Sequence, residues 1–193
     1  MNTGLHRIGE TAHLSALGVW TGALVGAGIT AARTFPTIKA LDPSLPAYAG
    51  YEGPHWMLSA GRVASEVFLV TDVVQFVCAC LATVGFGLAV VFGEYLNPKD
   101  RSWLLFARAL FMGLAFLSVS YHLLLLMPAM QHDLRQYWDA ALAGDTETAE
   151  RFRQAFGDRH TGASRSMGLT ALATLITLML GVWHLASARK PAP

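Results

Sequence analysis

The stretch WLLFARALFMGLAFLSVSYHLLLLM, from Trp103 to Met127, decides the fold class of this chain. It is almost wholly apolar over the length that a helix needs to cross the hydrocarbon core of a bilayer, about 20 residues. Residues 14–32, 67–92 and 167–186 have the same character. The sequence therefore predicts an all-α integral membrane protein, a four-helix bundle in which residues 1–193 form a single transmembrane domain.

The composition points to lipid as the main partner. Of the 193 residues, 53% are hydrophobic and 14% are charged, whereas soluble domains carry about 25% charged residues. The net charge is +1, and nucleic-acid binding requires a basic face, so we expect contact with the bilayer and none with nucleic acid. Cys78 and Cys80 point to different sides of one helix, which makes a disulfide between them improbable.

The segments outside the apolar stretches differ from one another. Residues 33–61 hold several prolines and glycines, so we expect little long helix in this first loop. Residues 97–101 form a short polar turn. Pro128 should break the third spanning helix, because proline lacks the N–H that a helix interior requires.

The third loop, about residues 129–160, has helical periodicity instead. Its apolar residues recur at spacings of three and four, and Gly144-Asp145 interrupts the pattern. Asp145 is placed to cap a second helix that ends at Gly157. The sequence therefore predicts an extramembrane amphipathic helical hairpin between helices three and four. Its charged residues are expected to form a solvated face, and the alternative is a docking surface for a partner protein or for lipid headgroups.

A ladder of glycines, Gly18, Gly22 and Gly26, lies on one stripe of the first predicted helix. Small residues four apart allow a second helix backbone to come close. We interpret the stripe as a helix-packing surface within this chain. The alternative is that a second copy or a partner membrane protein docks there.

Basic residues close to the helix ends favour one orientation. With four spans, the N-terminus, the second loop and the C-terminus share a side, and cytoplasmic loops are enriched in Lys and Arg. We expect a multi-pass protein of a bacterial inner membrane with both termini in the cytoplasm. The residues on which this rests are Arg7, Lys99, Arg101, Arg189 and Lys190.

Sparse motifs along the chain resemble those of a known family. They are Trp20-x-Gly22, Phe35-Pro36, Gly61-Arg62, Tyr121 with Pro128, and an amphipathic helix before His160 and Ser164. In these features the chain resembles the transmembrane protein 205-like family. The resemblance implies a four-helix membrane domain without an established activity, and it carries over no catalytic residue. The asparagine expected soon after Ser164 is absent, since Met167-Gly168 stands there.

Several ionisable or polar residues fall within or beside the apolar stretches. Their cost in hydrocarbon makes each a candidate for function or for a specific contact. Arg62 and Glu66 are four apart and are expected to pair, whereas Arg108 is expected to extend to the headgroups. The intramembrane polar residues of interest are Glu66, Asp72, Gln75 and His122.

Asp72 and His122 admit two interpretations. Each is first expected to be a strut that hydrogen-bonds a neighbouring helix, with Thr71, Ser118 or Ser120 as partners of Asp72. The alternative is a proton or cation relay.

Histidines and methionines collect towards the face opposite the termini. Imidazole and thioether are ligand types for copper and other soft metals, although no metal-binding motif spaces them. We therefore expect no cofactor, with a transition-metal site as the alternative. Its candidate ligands are His55, His122, His132 and His160.

Haem is a third possibility. His13 and His184 lie at similar expected depths near the side of the termini, and paired imidazoles on facing helices can bind haem.

Catalytic motifs are missing from the sequence: it has no phosphate-binding loop or nucleophile elbow, and no paired catalytic carboxylates outside the charged hairpin. We expect a protein that is not an enzyme, a structural, accessory or assembly subunit of a membrane complex. The alternatives are a small transporter or metal-handling protein that uses Asp72 and His122, and a haem-binding redox subunit.

Overall fold

The computed structural model describes residues 3–93 and 102–188, most of which lie in α-helices and none in a strand. The helices are α1 (Thr3–Leu41), α2 (His55–Phe92), α3 (Ser102–Tyr121), α4 (Met127–Leu142) and α5 (Thr146–Ala188). A π-helical turn, His122–Leu126, joins α3 to α4 without a break, and a short 3₁₀ turn, Pro46–Tyr48, precedes α2. The predicted turn at residues 97–101 lies outside the described residues.

Within residues 3–93 and 102–188, four helical segments are long and apolar enough to cross a membrane. α1, α2 and α5 have 39, 38 and 43 residues, so each is about 60 Å long at 1.5 Å per residue, twice the thickness of the hydrocarbon core. The prediction of an all-α four-helix membrane bundle is confirmed. Apolar side chains exposed along α2 are those that lipid would cover: Val70, Val73, Phe76, Leu81 and Val84.

The first loop is much shorter than the sequence predicts. α1 continues through Pro36 to Leu41, and α2 already begins at His55. Only residues 42–54 lie outside the two helices. The prediction of little helix over residues 33–61 is therefore wrong, because a single proline removes one backbone hydrogen bond while the turns around it keep theirs.

The helical hairpin is an extension of the two membrane helices. Its turn lies where predicted: Gly144 has a φ of +76°, and the Thr148 N–H donates to the Asp145 carboxylate over 3.0 Å. This bond holds the pKa of the Asp145 carboxyl below its usual range. The predicted end at Gly157 is wrong, since α5 runs through it to Ala188; an isolated glycine costs a helix only about 1 kcal/mol.

The described residues belong to two compact units, to which the long helices contribute different parts. Unit 1 comprises Met1–Val25, Val73–Val119 and Gly168–Pro193. Unit 2 comprises Gly26–Asp72 and Ser120–Met167.

In unit 1, α1 and α2 approach each other through glycines outside the predicted ladder. A Cβ added to Gly9 would lie 2.6 Å from the Ala89 nitrogen, and one added to Gly85 would lie 2.7 Å from the His13 nitrogen. Side chains larger than hydrogen would therefore separate the two helices. A Cβ at any ladder glycine meets no described atom within 4 Å, so the described residues do not use that stripe for packing: Gly18, Gly22 and Gly26.

Unit 2 has an aromatic core where the polar ends of α2, α4 and α5 meet. The hydroxyl groups of Tyr51 and Tyr137 lie 3.4 Å apart, and the Arg62 guanidinium lies 3.7 Å from the centre of the Trp138 ring. Arg159 of α5 donates a hydrogen bond to the buried Asp133 of α4. The buried residues of this core are Tyr51, Leu58, Leu134, Tyr137, Trp138, Ala141 and Ala149.

Candidate functional site

A buried pair of an acid and an imidazole joins α2 to the π-helical turn in unit 2. His122 Nε2 lies 3.2 Å from Asp72 Oδ1, and each residue is 6% exposed. Asp72 is only five positions beyond the start of its apolar stretch, and His122 is five positions before the end of its own. The contact supplies each side chain with a polar partner at a depth where an isolated charge would be costly.

The local sequence explains the position of His122. Pro128 has no N–H to donate, and its ring conflicts with the carbonyl four residues earlier. The chain accommodates this by widening one turn, so that the Met127 N–H donates to the His122 carbonyl, five residues back. The prediction that Pro128 breaks the helix is therefore wrong. Single π-helical turns within α-helices are frequent at functional sites, and His122 is the first residue of this one.

The second ring nitrogen of His122 has no hydrogen-bond partner among the described residues, although it is buried. When the Asp72 carboxylate accepts the Nε2 proton of a neutral imidazole, Nδ1 offers a lone pair. When the imidazole is doubly protonated, Nδ1 becomes a donor. One polar atom of the pair is thus available to a ligand in either protonation state.

The pair lies in the wall of a cavity of about 340 Å³ within unit 2. Most of the wall is apolar, with aromatic rings and methionine side chains predominating: Phe35, Trp56, Phe68, Phe156, Met57 and Met130. Methionine adapts its shape to irregular ligands. Polar groups are in the minority and are spread along the wall: Ser65, Asp72, His122, Gln131, Tyr137, Arg153, His160 and Ser164.

The permanent cation of this wall is already paired. The Arg153 Nε–H donates to the Glu150 carboxylate over 2.7 Å, and the Tyr137 hydroxyl lies beside that of Tyr51. His160 Nε2 lies 3.5 Å from the Ser164 hydroxyl. Among the described residues, the cavity wall therefore offers an anionic head group no arginine that lacks a carboxylate partner.

The four histidines predicted as metal ligands do not come together. His122 and His160 line the cavity, whereas the exposed His132 ring packs edge-on against Phe152 with centres 6.2 Å apart. His55 Nδ1 accepts the backbone N–H of Leu45 over 3.0 Å. Over residues 3–93 and 102–188, no three His, Cys, Asp or Glu residues are grouped so that they could hold a metal.

The two histidines predicted for haem differ in burial. His13 is fully buried and its Nδ1 lies 2.8 Å from the Ala82 carbonyl oxygen, which makes Nδ1 the donor. His184 is half-buried.

The remaining intramembrane predictions have mixed outcomes. Gln75 is buried and its amide oxygen accepts the Trp20 indole N–H over 3.4 Å. Glu66 is exposed and forms no ion pair with Arg62, which stacks on Trp138 instead. The predicted pairing of Arg62 with Glu66 is therefore wrong, because the face of an aromatic ring competes for the guanidinium.

Sequence reasoning missed an ion pair in unit 1. Arg108 is fully buried and donates two hydrogen bonds to the Glu10 carboxylate, at 3.0 and 2.9 Å. The prediction that Arg108 extends to the headgroups is wrong. Both residues are expected at similar depths on the same side of the membrane. This similarity is the sequence feature that could have identified them as partners.

Comparison of the chain with protein-family models, with curated proteins and with solved structures found no match.

Proposed function

We propose that this integral membrane protein binds an uncharged amphiphile in the unit 2 cavity, with His122 Nδ1 as the contact for its polar head. The observation that supports the proposal is a buried imidazole, held by Asp72 through one nitrogen, in the wall of a largely apolar cavity. The proposed activity is binding without covalent chemistry, as a receptor or a carrier.

The dimensions and lining of the cavity favour a small organic ligand. A volume of about 340 Å³ falls at the lower end of the range for small-molecule pockets, which are mostly apolar with a few fixed polar groups. An ion would leave most of this volume unfilled. Aromatic rings and thioethers suit a ring or an unsaturated chain.

The charges of the cavity favour an uncharged head. Arg153 is held by Glu150, so an anionic ligand would have to displace an existing ion pair. Nδ1 of His122 can accept or donate a hydrogen bond, according to the form of the imidazole ring. A hydroxyl head can donate to the Nδ1 lone pair, and a carbonyl head can accept from a protonated Nδ1.

Mass spectrometry of organic extracts tests this proposal. Wild-type protein purified in mild detergent should release one apolar molecule in near-stoichiometric amount. Met130→Trp, which fills the cavity, and His122→Gln should both reduce its amount by about tenfold or more, a loss of ~1.4 kcal/mol in binding. Met179→Trp is the matched control, because Met179 is exposed and is not part of the cavity wall.

Two results would contradict the proposal. One is a wild-type extract that holds only detergent and bulk lipid. The other is an equal loss of the bound molecule in Met130→Trp and Met179→Trp. Elemental analysis and the visible spectrum of the same samples test the metal and haem alternatives, through bound copper and a Soret band respectively.

A role as an accessory subunit is a second proposal, favoured by the unused glycine stripe. Gly18, Gly22 and Gly26 are exposed on α1, and such stripes allow close helix association in membranes. Native mass measurement should find a second copy or another membrane protein that Gly22→Leu releases. Gly28→Leu is the control, since Gly28 is exposed on the same helix outside the ladder; equal masses for all three proteins would exclude this role.

The membrane identity and orientation are also proposals. We infer a bacterial inner membrane with both termini cytoplasmic from the basic residues at the helix ends. Reporter fusions at the C-terminus and at Gly144 should report opposite sides. Kinship with the transmembrane protein 205-like family remains a prediction from sequence motifs.

A further inference from the structure

A second pocket in unit 2, of about 630 Å³, lies between the polar ends of α2 and α4. Its wall is formed by residues from Arg62 to Leu69 and from Met127 to Asp139. The apolar stretch of α2 begins at residue 67 and that of α3 ends at residue 127. The pocket therefore extends outward from the edge of the apolar stretches through the level of the lipid headgroups, where tryptophan is enriched.

Four charged side chains of this pocket, two of each sign, have no ion-pair partner. Arg62 and Glu66 are one turn apart on α2, and Arg135 and Asp139 are one turn apart on α4. Within the described part of the chain, none of the four makes a salt bridge or a side-chain hydrogen bond. Two helices thus present unpaired charges of both signs to one volume, which complements a dipolar ligand better than a simple anion.

The tryptophan of the pocket helps to distinguish a primary from a quaternary ammonium as the ligand group. A quaternary ammonium is recognised mainly through the faces of aromatic rings. The guanidinium of Arg62 lies 3.7 Å from the centre of the Trp138 ring and occupies one face, and Trp138 is otherwise buried. A primary ammonium needs no ring face, because its three N–H groups can donate to carboxylates.

We propose that this pocket binds the headgroup of a phospholipid that carries a primary amine, such as phosphatidylethanolamine. The phosphate accepts hydrogen bonds from Arg135 and Arg62, since guanidinium groups match phosphate oxygens well. The ammonium donates to Glu66 and Asp139. This inference is independent of the ligand proposed for the cavity beside Asp72 and His122.

A series of lipids tests the proposal without altering the protein. Purified wild-type protein in detergent is mixed with phosphatidylethanolamine, its N-methyl and N,N-dimethyl derivatives, and phosphatidylcholine, all with the same acyl chains. Native mass spectrometry measures the lipid that stays bound. We expect retention to fall with each methyl group, by about tenfold or more over the series, since each methyl removes a charged hydrogen-bond donor. Equal retention of all four lipids would overturn the proposal.

Variants then locate the site. Glu66→Gln with Asp139→Asn should abolish the preference for the primary amine and retain the phosphate contact. Arg135→Gln should weaken the binding of every lipid in the series. The three side chains are exposed, so helicity and a monodisperse elution profile should be unchanged.

The control for the acidic pair is Glu147→Gln with Asp158→Asn, which removes two exposed acids of α5 that lie outside the pocket. Arg165→Gln is the control for Arg135. If these controls changed headgroup preference as much as the pocket variants do, general surface charge would explain the binding and the pocket would be excluded.

Discussion

The Glu10–Arg108 pair of unit 1 and the Asp72–His122 pair of unit 2 are both buried. They differ in hydrogen-bond geometry and in the chemistry of the basic side chain. Arg108 makes two hydrogen bonds to Glu10, at 3.0 and 2.9 Å. His122 makes one contact with Asp72, at 3.2 Å. Guanidinium only donates hydrogen bonds, whereas an imidazole nitrogen can donate or accept one.

The two pairs also differ in how closely the surrounding residues pack against them. A Cβ added to Gly181 would lie 3.4 Å from an Arg108 Nη atom, so helix backbone packs closely around this guanidinium. His122 instead lines a cavity, and its Nδ1 lacks a partner among the described residues. A bidentate pair with a fixed charge in close packing suits a structural contact, whereas a single contact beside open volume, with one ring nitrogen still available, suits ligand binding.

Breaking the first pair should have the largest effect on stability. Arg108→Leu leaves the Glu10 carboxylate buried without its bidentate partner, and such losses cost about 3–5 kcal/mol. We expect a large drop in Tm in detergent, monitored by circular dichroism, and early aggregation on size exclusion. Asp158→Asn, at an exposed acid of α5 that lies outside both pockets, is the control and should leave Tm unchanged.

The double variant Glu10→Leu with Arg108→Met distinguishes a structural pair from a functional one. Replacing both partners with apolar residues of similar size removes the desolvation penalty with the interaction, and such replacements are often neutral. We expect it to regain most of the stability that Arg108→Leu loses. If the double variant were as unstable as the single one, the pair would have a role beyond their mutual neutralisation.

Weakening the second pair should cost less stability and change binding more. Asp72→Asn keeps the shape of the side chain and a hydrogen-bonding group for His122, so we expect a loss of about 0.5–1.5 kcal/mol, the value of one hydrogen bond. The same variant changes the group that fixes the tautomer of the imidazole, and with it the hydrogen-bonding role of Nδ1. Tm and retention of the cavity ligand are measured together; a destabilisation as large as that of Arg108→Leu would remove the distinction between the pairs.

Much of the fold could be predicted from the sequence because its main signal is local. Apolar length identified all four spanning helices, and the Gly144-Asp145 turn was correct because a positive φ and an N-cap depend on neighbouring residues. The errors concerned helix ends at Pro36, Pro128 and Gly157. Each is a local helix breaker with a cost of about 1–3 kcal/mol, which the packing of long helices can outweigh.

The candidate site was harder to predict because its contacts join distant residues. Asp72 and His122 were each recognised as costly polar groups, but their mutual contact spans fifty positions. The Glu10–Arg108 pair was missed because Glu10 precedes the first apolar stretch and gave no sign of burial. Depth along a helix can be estimated from sequence, whereas the direction in which a side chain points around the helix depends on how the helices pack.

A solvent-exposed ion pair on α5 should contribute less to stability than the buried Glu10–Arg108 pair. Glu150 and Arg153, one turn apart on α5, have side chains that are 39% and 36% exposed. Water and salt screen such a pair, so Glu150→Gln should cost about 0.2–1 kcal/mol. The small shift in Tm should shrink further in high salt, whereas the effect of Arg108→Leu should not. Equal salt sensitivity of the two variants would indicate that Arg108 is accessible to solvent ions.

The smallest expected effect is a pH dependence at the α4–α5 turn. The Thr148 N–H bond lowers the pKa of the Asp145 carboxyl in the folded protein, so this cap contributes fully above the ordinary Asp pKa of about 3.9. Its contribution is lost as the pH falls through the lower folded value.

Hydrogen exchange of the turn, compared between pH 6 and pH 3, should show faster opening at pH 3 after correction for intrinsic rates. Asp145→Asn retains a capping oxygen without a titrating proton and should remove this pH dependence, whereas Asp145→Ala should open the turn at both pH values. A wild-type pH response that persists in Asp145→Asn would assign it to another acid and would leave the cap with a purely geometric role.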